Sequence, residues 1–212
     1  MSSPVPRIAG AVLAAGAGTR MGRPKGELVV AGERLVDRAV AVVRAAGCDP
    51  VLAVVRAGIA VDGATAVVNP DPSRGMRSSL ELAVAETGDA AALAVLLVDT
   101  PGIDAAAVAA VCAGWRPGRI ALASYAGRRG HPTVMAPELW RDALALAGPD
   151  EGARALLATR PGLVDEVPVP GDPADLDTPD DLARWHVENA TPAPTSPVSG
   201  RDEPGPREGS LS

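Results

Sequence analysis

A glycine-rich segment near the start of the chain carries two cations. Glycines stand at positions 16, 18 and 22, Arg20 lies among them, and Lys25 follows shortly after. Glycine allows backbone N–H groups to approach an anion closely, and the two cations add positive charge where a triphosphate would lie. The segment therefore predicts a phosphate-binding loop, and this interpretation is favoured over a mobile glycine-rich turn.

Two common phosphate-binding patterns do not fit this segment. In a Walker loop the lysine follows glycine and precedes Ser or Thr, whereas Lys25 follows Pro24 and no Ser or Thr comes next. In the dinucleotide fingerprint a third glycine would occupy the place of Met21, and no acidic residue ends the second predicted strand. The loop is therefore predicted to bind phosphate in another way.

Two more unusual segments follow predicted strands, Asn69-Pro-Asp-Pro and Asp99-Thr-Pro-Gly. Ligand crevices of parallel α/β sheets lie beyond the carboxyl ends of the strands, so both segments should meet the glycine-rich loop at one rim. Asp99 ends an almost entirely apolar run, where a carboxylate needs a partner or a metal. Mg²⁺ prefers a few carboxylate oxygens together with phosphates and water, which makes Asp99 a candidate ligand. The alternative is a capping carboxylate in a turn.

Alternating apolar patterns predict the elements that position these segments. Apolar runs predict buried strands, and apolar residues at helical spacing predict helices between them. The predicted strands of the first half cover 8–15, 51–55, 64–68 and 93–98, and the predicted helices cover about 35–46, 75–86 and 104–111. Strands that alternate with helices predict the α/β class, with parallel strands joined by right-handed crossovers.

The second half of the chain has a less regular pattern. Its predicted strands are 119–124 and 132–135, around a turn at 127–130, and an edge strand at 163–169; its predicted helices are 139–146, 152–157 and 179–187. From about residue 190 Pro, Ser, Gly and Glu dominate, so the chain there cannot bury enough surface to order itself. We expect one domain over 1–189 and a disordered tail over 190–212.

Composition limits the classes of function. The chain has 212 residues, 47% of them hydrophobic but only 2% aromatic, which predicts one core built from Ala, Val and Leu. A net charge of −6 argues against broad binding of nucleic acid. Cys48 and Cys112 lie far apart in the sequence, so neither a zinc site nor a disulfide is indicated. No apolar run reaches the roughly 18 residues of a membrane span, and we expect a cytoplasmic protein without a membrane partner.

The glycine-rich segment carries a resemblance to a known family. Residues 13–25, Leu-Ala-Ala-Gly-Ala-Gly-Thr-Arg-Met-Gly-Arg-Pro-Lys, resemble the signature of the molybdopterin nucleotidyltransferase (NTP transferase) family, whose members act on molybdenum cofactor and related acceptors. Weaker motifs follow in the family's order: Gly75-Met-Arg-Ser-Ser-Leu, Asp99-Thr-Pro, Gly130-His-Pro and Asp177-Thr-Pro-Asp-Asp-Leu. The resemblance implies a three-layer Rossmann-like nucleotide-diphospho-sugar transferase fold with a mostly parallel central sheet.

The resemblance also assigns roles to residues. Arg20, Lys25 and Asp99 would be catalytic. The nucleotide would be bound by Leu13, Ala14, Ala15, Gly16, Gly18, Arg20, Lys25, Gly75, Ser79 and Asp99. For Gly75 and Ser79 the alternative is a plain helix N-terminus. The cytidylyl branch resembles Leu-Ala-Ala-Gly with Pro-Lys, as here, whereas the guanylyl branch has Leu-Ala-Gly-Gly with Asp-Lys. Because the methyl group of Ala15 would crowd a purine, CTP is predicted over GTP.

Three later residues have two open interpretations each. By the resemblance Asp177 is a second metal-facing carboxylate, but Thr178, Pro179 and Asp181 also form a helix start, which makes plain turn chemistry an alternative. His131 and Arg154 are assigned to the acceptor side. The alternatives are a structural histidine in a turn and a solvated arginine on a helix face.

The predicted reaction is an in-line displacement at the α-phosphate of CTP by the terminal phosphate of molybdopterin, with Mg²⁺ as cofactor and pyrophosphate as leaving group. A phosphate monoester has a second pKa of about 6 and needs no general base, and no Ser-His-Asp or Cys-His set is evident. Transient contact with a molybdoenzyme or its insertion chaperone is also expected. GTP as donor, a sugar or polyol phosphate as acceptor, and a non-catalytic nucleotide-binding module remain alternatives.

Overall fold

The computed structural model describes residues 6–189. The strands are β1 (Ile8–Leu13), β2 (Val29–Val30), β3 (Glu33–Arg34), β4 (Val51–Val55), β5 (Thr65–Val68), β6 (Ala92–Leu97), β7 (Ile120–Tyr125), β8 (Arg128–Met135) and β9 (Val164–Pro168). The helices are α1 (Leu35–Ala45), α2 (Met76–Ala85), α3 (Ala105–Gly114), α4 (Pro137–Leu146), α5 (Arg154–Thr159) and α6 (Pro179–Glu188). One-turn 3₁₀ helices occupy several of the connections.

Seven strands form the central sheet in the order β5-β4-β1-β6-β8-β7-β9. Within it β8 runs antiparallel to both of its neighbours, and the other pairs are parallel. The predicted mostly parallel sheet is therefore confirmed. Strand β9 lies at one edge, as the sequence predicts, and β2 and β3 form a separate small hairpin.

Helices cover both faces of the sheet and make the predicted three layers. On one face α1 and α3 bury small apolar side chains such as Val12 and Val43. On the other face α2, α4 and α5 pack with Leu80, Leu93 and Trp140. Two apolar clusters thus lie on the two sides of one sheet, and the carboxyl ends of β1, β4 and β6 emerge at a common rim.

Two predicted connections differ from the structure. No strand or helix was predicted between the strand 8–15 and the helix from about 35, but this part of the chain contains the hairpin of β2 and β3, whose strands of two residues are too short to show an alternating pattern. The turn predicted at 127–130 is narrower, because Ala126 and Gly127 alone, both with positive φ, connect β7 to β8. As a consequence His131 lies within strand β8 and not in a turn.

The two cysteines are neighbours in space. Cys48 follows α1, Cys112 lies in α3, and their Sγ atoms are 3.9 Å apart although both thiols are free. Their separation in sequence did not show this proximity, which arises because the packing of α1 on α3 brings the two helices together. The hydrogen bond between the thiols lowers the pKa of Cys48 and raises the pKa of Cys112.

Within residues 6–189, no helix has both the length and the apolar character to cross a membrane. The tail predicted to be disordered, 190–212, lies outside the described residues.

Candidate active site

The glycine-rich loop turns back over the end of β1. Ala14 donates its backbone N–H to the Val54 carbonyl at 2.8 Å, which extends the sheet by one residue. Gly18 has φ of 59°, and a Cβ at this position would overlap the Arg23 carbonyl oxygen. The Lys25 N–H then donates to the Gly16 carbonyl at 3.3 Å and closes the loop. This fold brings the side chain of Lys25 to the rim of the sheet.

Lys25 is held by two carboxylates from distant parts of the chain. Its Nζ lies 2.5 Å from Oδ2 of Asp99 and also donates to Oδ1 of Asp177. The side chains of Lys25 and Asp99 are only 18% and 14% exposed. Burial alone would lower the pKa of Lys25, but the two carboxylates raise it above its ordinary value, so the ammonium remains charged. The loop and Asp99, expected to face each other across a crevice, are in direct contact.

Asp177 reaches this cluster because the chain is anchored on both sides of it. Leu176 is buried and donates its N–H to the Asp99 carbonyl at 2.8 Å. On the other side Thr178 and Asp181 form the predicted capping box at the start of α6. The helix start and the contact with Lys25 coexist, so the two interpretations of this segment do not exclude each other.

A cavity of about 310 Å³ adjoins the cluster and is called here the smaller cavity. Its wall includes seven of the residues predicted to bind nucleotide: Leu13, Ala15, Gly16, Lys25, Gly75, Ser79 and Asp99. These residues come from the ends of β1 and β6 and from the start of α2. The structure thus brings together segments that are separated by up to about 85 residues of sequence, from position 13 to position 99.

Three residues of the predicted set lie elsewhere. Ala14 is fully buried in the apolar core, and Gly18 turns the loop without lining the smaller cavity. Arg20 lies in a one-turn 3₁₀ helix with a side chain that is 74% exposed, and its guanidinium is 3.9 Å from Oδ2 of Asp177. Arg20 therefore lies at the mouth of the site and Lys25 lies inside it.

A larger cavity of about 600 Å³ lies next to the smaller one. Both predicted acceptor residues, His131 and Arg154, line it, and two further arginines, Arg128 and Arg129, do so as well. The two cavities share four lining residues: Leu13, Met76, Leu97 and Asp150. A ligand in one cavity can therefore approach a ligand in the other across this shared wall.

His131 is a poor candidate for a proton-transfer group. Its Nδ1 lies 3.3 Å from the Val95 carbonyl on the neighbouring strand β6. Burial lowers its pKa, so the imidazole is neutral at pH 7. Arg154 begins α5, is exposed and lines the same cavity.

Sequence reasoning missed a further carboxylate at this site. Asp175 lines the larger cavity, and its pKa is raised to about 6, first by desolvation and then by the negative charges of Asp99 and Asp177. The signal available was the spacing Asp175-Leu-Asp177 directly before the predicted helix start. The alternation of the two carboxylates around buried Leu176 directs them both away from the core.

The Asn69 segment was predicted to reach the rim of the glycine-rich loop, and its Pro72 lines the smaller cavity together with Gly16. The segment also supports the start of α2. Asn69 is buried, and its side-chain amide donates to the hydroxyl oxygens of Ser78 and Ser79 at 2.9 and 3.0 Å. Asp71 caps the following 3₁₀ turn by accepting from the Ser73 N–H. These contacts fix the orientation of Ser79 in the wall of the smaller cavity.

The donor set fits a divalent cation that also binds substrate phosphates. Oδ1 of Asp99 is buried and has no hydrogen-bond partner among the described residues, which is costly unless a cation pairs with it. Between residues 6 and 189 no three His, Cys, Asp or Glu side chains are grouped to hold a metal on their own. Mg²⁺ needs only one or two carboxylates when phosphates and water complete its shell, so Asp99 and Asp177 suffice.

Comparison with protein-family models gives a match over most of the chain. Residues 10–165 match the family described as MobA-like NTP transferase domain. The chain is 38% identical over 181 residues to nicotine blue oxidoreductase of Paenarthrobacter nicotinovorans, covering 76% of this chain and 86% of that protein. It is 42% identical over 112 residues to a probable molybdenum cofactor guanylyltransferase of Opitutus terrae, covering 50% of this chain and 54% of that protein.

Solved structures with the same fold include mycobacterial proteins. A homologue of Mycobacterium tuberculosis Rv0371c from Mycobacterium sp. strain JC1 has a TM-score of 0.74 at 29% identity, covering 86% of this chain and 96% of that chain. Rv0371c of M. tuberculosis H37Rv, in a structure described as a complex with manganese, has a TM-score of 0.64 at 26% identity, covering 84% and 97%.

Proposed function

The chain belongs to the MobA-like NTP transferase domain family, and on that premise we propose that it transfers CMP from CTP to a molybdopterin-type cofactor with release of pyrophosphate. The general activity, nucleotidyl transfer, follows from the family. One observation supports a triphosphate and metal site in this chain most directly. Lys25 contacts Asp99 and Asp177 beside a cavity lined by the glycine-rich loop.

The cluster supplies charge of both signs for a triphosphate. Backbone N–H groups near Gly16 and the cations Lys25 and Arg20 bind phosphate oxygens, and Lys25 offsets charge on the departing pyrophosphate. Asp99 and Asp177 hold a divalent cation, proposed to be Mg²⁺, which would neutralise charge on the α-phosphate. In the absence of ligand the Lys25 ammonium neutralises charge on both carboxylates. When nucleotide binds, the ammonium contacts phosphate oxygens in place of the carboxylate oxygens.

The larger cavity takes the acceptor. Arg128 and Arg154 offer positive charge to a phosphate, and His131 contributes to the wall as a neutral ring. An acceptor phosphate monoester is largely dianionic at neutral pH, so the attacking oxygen needs no proton removed. Catalysis then consists of aligning the two phosphates across the shared wall and neutralising their charge.

The preference for CTP depends on Ala15. This residue is almost fully buried yet lines the smaller cavity, so its methyl group narrows the space beside the backbone. A purine needs more room there than a pyrimidine. The relative from O. terrae is named a guanylyltransferase, which makes the base the first property to test.

A thermal-shift panel of CTP, GTP, ATP and UTP, each with Mg²⁺, tests the proposal. A ligand that binds only the folded protein raises its stability, by about 2.7 kcal/mol at a concentration of 100 times Kd. We expect CTP to raise the Tm most and the Asp99→Asn variant to lose the effect. A larger shift with GTP would reject cytidylyl transfer, and no shift with any nucleotide would reject the site.

A second candidate function comes from the relative named nicotine blue oxidoreductase, since the match covers 86% of that protein. In this alternative the larger cavity binds nicotine blue, the compound in that relative's name, and the electron donor to be tested is a nicotinamide dinucleotide. Met21, in place of the third glycine of a dinucleotide fingerprint, argues against it. Oxidation of NADH or NADPH in the presence of nicotine blue, without pyrophosphate release from any NTP, would favour this alternative.

A further inference from the structure

The connection between α4 and α5 closes over the start of α2. Its backbone is fixed by Arg77, whose N–H donates to the Pro149 carbonyl at 2.9 Å and whose guanidinium donates to the Ala147 carbonyl at 3.0 Å. Glu81, one helical turn further along α2, accepts from the same guanidinium at 3.0 Å. These hydrogen bonds therefore fix this connection, residues 147–152, in position beside α2.

Asp150 is the residue that this connection presents to both cavities. Its Oδ1 faces Gly75 so closely that a Cβ on the glycine would lie only 2.6 Å away. Gly75 also has φ of 84°, so a side chain is excluded there on two grounds. Glycine at the start of α2 is required for the carboxylate to approach the helix end.

Asp99 and Asp150 are the two acidic residues in the wall of the smaller cavity, and their surroundings differ. Asp99 contacts Lys25 in the phosphate-binding cluster. Asp150 is exposed and lies against Gly75, and within residues 6–189 its carboxylate makes no hydrogen bond. Ser79 lines the same cavity. If the triphosphate lies at Lys25, the nucleoside lies among the other residues that line the smaller cavity, and Asp150 is the acidic residue among them that does not contact Lys25.

We infer that Asp150 determines base specificity by accepting a hydrogen bond from the amino group of the nucleotide base. Cytosine offers its N4 amino group as a donor to a carboxylate, whereas uracil has the O4 acceptor in that place and would be repelled. Together with the narrowing at Ala15, this selects an amino-bearing pyrimidine. The inference rests on the proposed function and extends it from a nucleotide site to the residue that reads the base.

The test compares CTP and UTP binding by titration calorimetry with Mg²⁺ and no acceptor. A hydrogen bond to a charged group contributes about 1.5–3 kcal/mol, which corresponds to roughly 10- to 100-fold in Kd. We expect the wild-type protein to prefer CTP over UTP by at least about tenfold. In Asp150→Asn the ratio should fall to within about threefold, because an amide can donate to O4 as well as accept from N4.

Glu151→Gln is the matched control for this comparison. Glu151 is the next carboxylate of the same connection, lines the larger cavity without lining the smaller one, and accepts from the Gly148 N–H at 3.1 Å. Glutamine keeps an oxygen for that bond and removes the charge. The ratio of CTP to UTP affinity should stay at the wild-type value in this variant.

The outcomes separate two failures. An unchanged CTP/UTP ratio in Asp150→Asn, with nucleotide still bound, overturns the role of Asp150 alone. The role of Asp150 in base recognition is also overturned if Asp150→Asn no longer discriminates CTP from 2′-deoxy-CTP. That result would show that the Asp150 carboxylate binds the ribose hydroxyl. If the wild-type protein prefers GTP, the cytidylyl proposal fails, and the role of Asp150 in recognising cytosine fails with it. No binding of any nucleotide overturns both.

Discussion

At the scale of single residues, the site places charged side chains of both signs close together. One ammonium, Lys25, compensates Asp99 and Asp177, and a third carboxylate, Asp175, lies close enough for their charges to raise its pKa. The guanidinium of Arg20 is 3.9 Å from Asp177, so three carboxylates lie near two cations, which leaves an excess of negative charge without a ligand. Such an excess stabilises a bound cation and destabilises the empty folded protein at neutral pH.

Ionisation of Asp175 makes the stability of the folded protein depend on pH. Its pKa rises from 3.8 in the unfolded chain to about 6 in the folded protein, through desolvation and then the charges of Asp99 and Asp177. The folded state thus binds the proton more tightly, and the free energy of unfolding contributed by this group falls as pH rises from about 4 to about 6. We expect Asp175→Asn to raise the Tm at about pH 7.5 and to change it little at about pH 4.

Thermal denaturation of both proteins in metal-free buffer across this pH range measures the effect. Asp172→Asn is a suitable control, since Asp172 is exposed in the same segment and lies outside the walls of both cavities. An equal change in Tm at both pH values would show that Asp175 has an ordinary pKa.

Only some of the residues of this site could be predicted from the sequence. Lys25 and Asp99 could be recognised because a cation among glycines and a carboxylate after an apolar strand have few structural explanations. Asp150 and Asp175 could not, because acidic residues are common in polar connections and only tertiary packing places these two against cavities. Cys48 and Cys112 show the same limit, since their contact depends on how α1 meets α3.

At the scale of elements, close packing of α1 on the sheet positions the loop that precedes it. Gly10 in β1 lies under Val43 of α1 and beside Cys48. A side chain here would separate helix and strand, because a Cβ would overlap a methyl group of Val43. The absence of Phe and the abundance of Ala and Val in the sequence are consistent with this close contact.

Gly10→Ala should therefore destabilise the fold. Overpacking a well-packed core costs about 1–3 kcal/mol, and we expect a decrease of that size in the free energy of unfolding measured with urea. Gly162→Ala is the matched control, because a Cβ there meets nothing within 4 Å and the backbone needs no positive φ. Equal stability of the two variants would contradict the close contact of α1 with β1.

The elements themselves were largely predictable. The apolar runs of β1, β4 and β6 and the helical spacing in α1 and α2 gave the right order and type, since burial on a parallel sheet leaves a strong pattern. The hairpin of β2 and β3 was missed because two-residue strands carry no period. Strand β8 was predicted too short because the sequence does not show that Ala126 adopts positive φ and makes the turn so narrow.

At the scale of the whole molecule, one three-layer domain brings three segments of the chain to one rim. The loop after β1, the Asp99 turn after β6 and the start of α6 converge on the Lys25 cluster, and two cavities adjoin there. Under the proposed function, this arrangement would place the donor nucleotide and the acceptor in separate cavities with their phosphates close to each other. The family places nucleotidyl transfer on this fold, and the residues around the two cavities select the substrates.

The most direct measurement is pyrophosphate release from CTP with Mg²⁺ and molybdopterin, in the wild-type protein and in Lys25→Met. Methionine keeps a similar length and apolar stem without the charge. The wild-type protein should form one pyrophosphate for each CMP transferred, and Lys25→Met, folded by circular dichroism, should lose at least about 100-fold in turnover, the size expected when one group that stabilises transition-state charge is removed. Wild-type turnover in Lys25→Met would contradict a transferase site built on Lys25 and Asp99, and CTP left intact by the wild-type protein would contradict cytidylyl transfer.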